Sequence, residues 1–160
     1  MISKNNEEKP IIRVQPIENG TVIDHITAGQ ALNVLRILRL PGSSQGVVSV
    51  LMNAPSEHGK KDVVKIEGRE ISVHELDKIA LIAPNAKINI IRDYEVSRKE
   101  RVHTPQYVEG VVRCINPNCI SNSSEPVTSK FTVRGEKGKI FLRCNYCERG
   151  ISENIAEHLL

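Results

Sequence analysis

Cys114-Ile115-Asn116-Pro117-Asn118-Cys119 and, after a 24-residue insert, Cys144-Asn145-Tyr146-Cys147 hold every cysteine of this 160-residue chain. The pairs read C-x4-C and C-x2-C. Each makes a short turn that aims two thiolates at one point, and two such turns supply the tetrahedral sulfur shell that zinc prefers. Pro117 fixes its own φ, and the asparagines beside it tolerate positive φ, so the first turn suits its residues. With Cys114, Cys119, Cys144 and Cys147 all ligating, no coordination position is left for water or substrate. Such a metal holds a fold together and does not catalyse. Disulfides would need an oxidising compartment, and residues 1–10 are polar and charged with no apolar run resembling a signal peptide. The expectation is one structural zinc per chain in a cytoplasmic protein.

Working outward, Val108 to Arg113 reads as a strand entering the first cysteine turn. Phe131-Thr132-Val133 and Ile140-Phe141-Leu142 read as a hairpin around Gly135 to Gly138, delivering the chain to the second pair. About 55 residues with few large side chains build a thin core, and a metal supplies what burial does not. Upstream, Ser97 to Gln106 is charged, lacks apolar periodicity and ends beside Pro105, as a domain boundary does. The division expected is a solvated tail (1–9), a first domain (10–97), a linker (98–106) and a small all-β zinc-binding domain (107–160).

Ile11 to Ile17 gives the first strand signal, with Pro16 suggesting an edge or bulge. Thr21 to Ile26 is a second extended stretch. Thr27 and Gln30 have capping-box spacing, predicting a helix from about Ala28 to Leu40 whose buried face is Ala28, Ala31, Leu32, Leu35 and Leu38. Gly46 to Met52 reads as a strand, Asn53 to Lys61 as a polar loop, and Asp62 to Glu67 as the next strand. Ser72 and Glu75 repeat the capping-box spacing before a helix over about Val73 to Ile82. Lys87 to Val96 reads as the last strand. This order is α+β, a ferredoxin-like antiparallel sheet with two helices on one face.

Composition limits function. Net charge is +3, and aromatic content is 3% without Trp, so the core is built from aliphatic residues. Residues 1–97 carry 12 basic and 12 acidic side chains, whereas 98–160 carry 10 and 7, which puts the whole basic excess on the cysteine-bearing part. No apolar run approaches the ~20 residues that cross a bilayer. No P-loop, Gly-rich dinucleotide turn or nucleophile with a recognisable setting is present. Asp24 and His25 are adjacent, and in a regular strand they would face opposite sides. Lys60, Lys61 and Lys65 cluster after a Gly-containing loop and could bind an anion as point charges.

Gly20-Thr21-Val22-Ile23-Asp24-His25-Ile26, Gly59-Lys60-Lys61-Asp62, Lys65-Ile66-Glu67, Ala83-Pro84-Asn85-Ala86 and Asp93-Tyr94-Glu95-Val96 resemble the regulatory chain of aspartate carbamoyltransferase. So do the cysteine turns with Glu125-Pro126-Val127. The resemblance runs in order from about Ile11 to the end of the chain. It implies a non-catalytic allosteric subunit in pyrimidine biosynthesis. Its first domain would bind ATP and CTP, with UTP a further candidate, and pair with a second regulatory chain. Its zinc domain would hold the separate catalytic chain. Carried over by position, Asp24 and Lys99 would meet base or ribose and Lys65 the phosphates. Val14, Ile17, Val22, Asn89, Tyr94 and Val96 would line the pocket, with His25 beside it. Glu18-Asn19 departs from the basic residue expected in relatives, so the potential near a triphosphate is less positive. The competing class is a nucleic-acid-binding zinc-ribbon protein, with Phe131, Phe141 and Tyr146 as stacking groups. Its basic excess is slight, and it leaves the first domain's motifs unexplained.

Overall fold

The structure, a computed structural model, describes residues 16–160 apart from Ser43. Val14 and most of the expected strand Ile11 to Ile17 lie outside the described residues. Five strands, β1 (Gly20–Thr27), β2 (Val48–Ser56), β3 (Gly59–Glu67), β4 (Lys87–Arg92) and β5 (Glu95–Arg101), form one sheet in the order β2-β3-β1-β4-β5. All its pairings are antiparallel. Helices α1 (Ala31–Ile37) and α2 (Val73–Ile82) complete this unit. The first four strands and two helices are the ferredoxin-like arrangement, with β5 added at an edge. A second sheet, β6 (Tyr107–Glu109), β7 (Lys130–Glu136), β8 (Lys139–Cys144) and β9 (Gly150–Ile151), forms the small all-β unit.

Alternation along the strands divides the first sheet into two faces. Ile23, Val64, Ile66 and Ile88 are fully or almost fully buried against Val34, Leu38, Ile79 and Ala80 of the helical layer. Their neighbours Val22, Lys65 and Asn89 point the other way and stay half-buried. Helix α2 begins where expected: Ser72 Oγ accepts the Glu75 N–H while the Glu75 carboxylate accepts the Ser72 N–H.

Helix α1 differs from expectation. Thr27 to Gln30 is a turn, closed by Gln30 N–H to Thr27 O at 3.0 Å, and neither Thr27 nor Gln30 caps by side chain. The helix therefore starts three residues late, Ala28 is exposed, and Leu32 is 58% exposed rather than on the buried face. The cap comes from a distant residue. Asp62 Oδ2 accepts the N–H groups of Gly29 (2.9 Å) and Ala31 (3.0 Å).

Two segments expected to be irregular are strand. Residues 53–61 extend β2 and β3 into a hairpin turning at Glu57-His58. The charge after Ser97 belongs to β5 as far as Arg101, and every β5 residue is exposed, as suits an unprotected edge. Val102 then turns inward, its N–H donating to Ala86 O. The charged segment does not isolate two cores. Buried residues of both sheets, from Ile23 and Ile79 to Phe131 and Leu142, form one contiguous cluster. The second unit meets the first at the helices, where Lys78 of α2 bonds Leu160 O at 3.0 Å.

Candidate functional site

Among the described residues, the side chains singled out as ligating or anion-binding gather in two places. In the second unit, β8 ends at Cys144 and the turn after it returns Cys147, while Val112-Arg113 leads into Cys114. The Asn122 amide donates to Cys114 O (2.9 Å) and Asn116 O (2.7 Å), pinning the first cysteine turn from inside. The four sulfurs lie within 4.8 Å of one another, with Cys114–Cys147 at 3.4 Å and Cys119–Cys144 at 3.7 Å. A disulfide needs about 2.05 Å, and all four cysteines are free. A metal at ~2.3 Å from each sulfur sets tetrahedral edges of about 3.8 Å. The residues present fit that group.

The second place is the open face of the first sheet. Val22 pairs with Lys65 on one side and Asn89 on the other, and Asn89 pairs with Lys99. Directly opposed residues share a face, so Lys65, Val22, Asn89 and Lys99 form one row across four adjacent strands. Asp24 stands two residues along β1. Val96 lies toward the other end, opposite Ile91, which pairs with Gly20. Tyr94 occupies the β4–β5 turn at φ 64°, 66% exposed, with its N–H on Glu18 O at 2.9 Å. Ile17 is buried.

Asp24 and His25 do not face opposite sides. A bulge shifts the β1–β3 register between Ile23 and Ile26, and His25 takes φ 55°. That conformation breaks the alternation. Asp24 Oδ1 accepts the His25 N–H at 2.7 Å, and His25 Nδ1 comes within 3.3 Å of Asp24 Oδ2 without hydrogen-bond alignment. Lys61 Nζ reaches Asp24 Oδ1 at 2.8 Å.

Both units match known family models. Residues 12–103 match the model described as aspartate carbamoyltransferase regulatory chain, allosteric domain, and residues 106–157 match the metal binding domain of the same chain. Among curated relatives, the aspartate carbamoyltransferase regulatory chain of Methanococcoides burtonii is 69% identical over 99% of this chain and 100% of its own length. That of Methanosarcina acetivorans is 65% identical over 96% and 99%. That of Haloarcula marismortui is 54% identical over 99% of both. The chain belongs to the aspartate carbamoyltransferase regulatory chain family. It is a regulatory subunit, and catalysis lies in a separate chain.

The electrostatics of this regulatory chain follow from its geometry. Burial pushes the Cys114 thiol up to about 12. The Arg149 backbone N–H draws Cys147 down to about 6, and the Ser121 hydroxyl, 3.2 Å from Cys119 Sγ, lowers Cys119. Burial raises Asp24, but the hydrogen bond from Lys61, the His25 N–H and the nearby positive charge outweigh it, leaving the carboxyl below its ordinary value. Sequence reasoning missed Lys61 as the partner of Asp24 and Asp62 as the helix cap. Lys61 stood in the lysine cluster already singled out. Nothing local marked Asp62.

Proposed function

We propose that the open face binds ATP- and CTP-type nucleotides, and that the cysteine cluster holds one structural zinc. The observation that supports the nucleotide reading is the row Lys65–Val22–Asn89–Lys99, which brings residues from four separate sequence segments onto one surface. Lys65 supplies positive charge for phosphates. Asn89 offers a donor and an acceptor, and Lys99 a donor for ribose or base at the edge strand. Val22 gives an apolar floor, with Ile17, Val96 and Tyr94 toward one end. Asp24, held in place by Lys61, accepts from a ribose hydroxyl or an exocyclic amine, and His25 stands beside it. Val14 completes the set by resemblance.

Zinc, when bound, supplies a fourfold thiolate cross-link. Cys114 and Cys119 tie the start of the second unit to Cys144 and Cys147 at the end of its hairpin. The unit so fixed holds the catalytic chain, and the first unit pairs with a second regulatory chain. We place the unit boundary at residues 102–106, after the end of β5. The whole acts on pyrimidine biosynthesis in the cytoplasm; among the described residues no helix is long and apolar enough to cross a membrane. Calorimetric titration of the full chain with ATP and CTP tests the nucleotide reading. Saturable binding of both is the expected result, and none with either removes it. Metal analysis tests the other, with one zinc per chain expected.

A further inference from the structure

Strand β3 has two faces with different chemistry. Lys61 and Lys65 serve the open face, while Asp62 points the opposite way and is fully buried. The Asp62 carboxylate accepts three backbone N–H groups, two from Gly29 and Ala31 at the start of α1, and one from Asn53 on its other oxygen at 2.9 Å. Asn53 sits at φ 58° in the β2 bulge, and Ile26, which ends the β1 bulge, pairs with Asp62. One side chain therefore ties the β2 bulge to the start of α1, at the point where β1 resumes its pairing after its own bulge. The far end of α1 is held by Arg69, just beyond β3. Its guanidinium donates to Leu38 O at 2.6 Å and pairs with Glu75.

Helix α1 leads onward. Arg36 and Ile37, with Lys78 of α2, line a crevice of about 230 Å³ whose other wall is Ala156, Leu159 and Leu160. That wall belongs to the metal-binding unit: Arg113 N–H donates to His158 O (2.7 Å), Leu160 N–H to Val111 O (2.8 Å), and Val112 pairs with Leu159. Cys114 follows directly. From the lysines of β3 the route therefore runs through Asp62 to α1, and across the crevice, which Lys78 of α2 bridges to Leu160 O, to the segment that precedes the first metal ligand.

We propose that Asp62 is a positioning residue that couples the open face to the metal-binding unit through α1. The inference rests on the nucleotide reading above. A ligand drawing on Lys65, and on Asp24 held by Lys61, loads β3. Buried N–H groups without their acceptor carry a full desolvation penalty, so α1 follows β3 rather than letting go. Coupling then requires that the ligand favour one seating of α1 against residues 156–160.

The test is amide hydrogen exchange on the full, metal-loaded chain with and without saturating ATP. In the wild-type chain, ATP is expected to change exchange at residues 156–160 by about fivefold or more, the lower end of ordinary allosteric couplings. Asp62→Asn keeps the size of the side chain but turns one acceptor oxygen into an amide donor. It should bind ATP with unchanged affinity and lose the exchange difference, a split that a merely structural role does not produce. Arg69→Gln, which releases the other end of α1, should give the same split if Asp62→Asn fails to fold. ATP binding to the wild type without any difference at 156–160, or a difference that persists in the variants, overturns the inference alone. Absence of ATP binding to the wild type overturns both it and the open-face reading.

Discussion

Lys61 Nζ lies 2.8 Å from Asp24 Oδ1, although the backbone register sets Lys61 opposite Thr27. The bulge at His25 makes this diagonal reach possible by turning Asp24 toward β3. Both side chains are about three-quarters buried, so the pair is less screened than a surface ion pair.

A pH dependence follows. The Asp24 carboxyl is held below its unfolded value of about 3.9. A depressed carboxylate contributes stability that is fully present above the unfolded value and is lost as pH falls through the folded one. Comparing the wild type with Lys61→Met by urea unfolding should show a constant difference of no more than about 1 kcal/mol from pH 8 to about 5. It should shrink below about pH 4. A difference that grew toward acid pH would exclude the pairing.

Lys65 stands one strand from Val22 with its ammonium on the open face, and an ammonium meets phosphate as a point charge. Lys65→Ala should therefore weaken ATP and CTP equally, by about 1.5–3 kcal/mol, the range of a charge-assisted hydrogen bond. Calorimetry on the full chain measures this. A loss confined to one nucleotide would place Lys65 near the base instead.

The helices show which parts of this fold could be read from sequence. Ser72 and Glu75 are three residues apart, and their capping box forms on one carboxylate oxygen of Glu75 while Arg69 pairs with the other. Thr27 and Gln30 have the same spacing and form no box, because the Gln30 N–H closes a turn onto Thr27 O and the next free N–H groups, those of Gly29 and Ala31, are taken by the distant Asp62. A local pattern predicts local bonds until tertiary structure supplies a better acceptor. The cysteine spacing was legible because metal geometry constrains short turns directly. The bulge at His25 was not, since positive φ at a non-glycine residue leaves no compositional trace. Of the row Lys65–Val22–Asn89–Lys99, the lysine cluster pointed to Lys65, and the other three came from resemblance alone; no periodicity within one strand reports what lies across four.

Gly20 shows a backbone constraint at the start of the site. Its φ is 151°, and a Cβ there would stand 2.1 Å from Ile66 O, the carbonyl of the paired strand. Backbone cannot swing aside as a side chain can, so β1 and β3 would have to part. Gly20→Ala should cost about 3 kcal/mol or more, at the upper end of overpacking penalties. Thermal or urea unfolding measures it, and a near-neutral variant would mean that the strand ends separate freely.

Ser72→Ala gives a graded control on the same scale. It removes the acceptor of the Glu75 N–H, 3.2 Å away, at an exposed helix start. The expected loss is about 1 kcal/mol, the ordinary value of an N-cap. A loss as large as that of Gly20→Ala would show that α2 depends on its cap rather than on the burial of Ile79 and Ala80.

Cys114→Ser is the most informative change to the metal-binding unit. Serine removes one thiolate, and the remaining three leave the cross-link open where Val111-Val112-Arg113 enters it. Structural zinc contributes an apparent ~10–16 kcal/mol in small thiolate peptides, far beyond a core built around one buried phenylalanine, Phe131. Metal analysis should show loss of zinc, and hydrogen exchange should show β7 and β8 unprotected. The first unit should not be untouched, because its core continues into the second through the helical layer. Ile79, Leu81 and Ile82 of α2 lie near that junction, so α2 should lose part of its protection. β1 and β3, paired on both sides of the bulge and tied to the start of α1 by Asp62, should keep theirs. Full protection of α2 in the variant would show that the contiguous core is two cores in energy, and loss at β1 as well would show one cooperative unit.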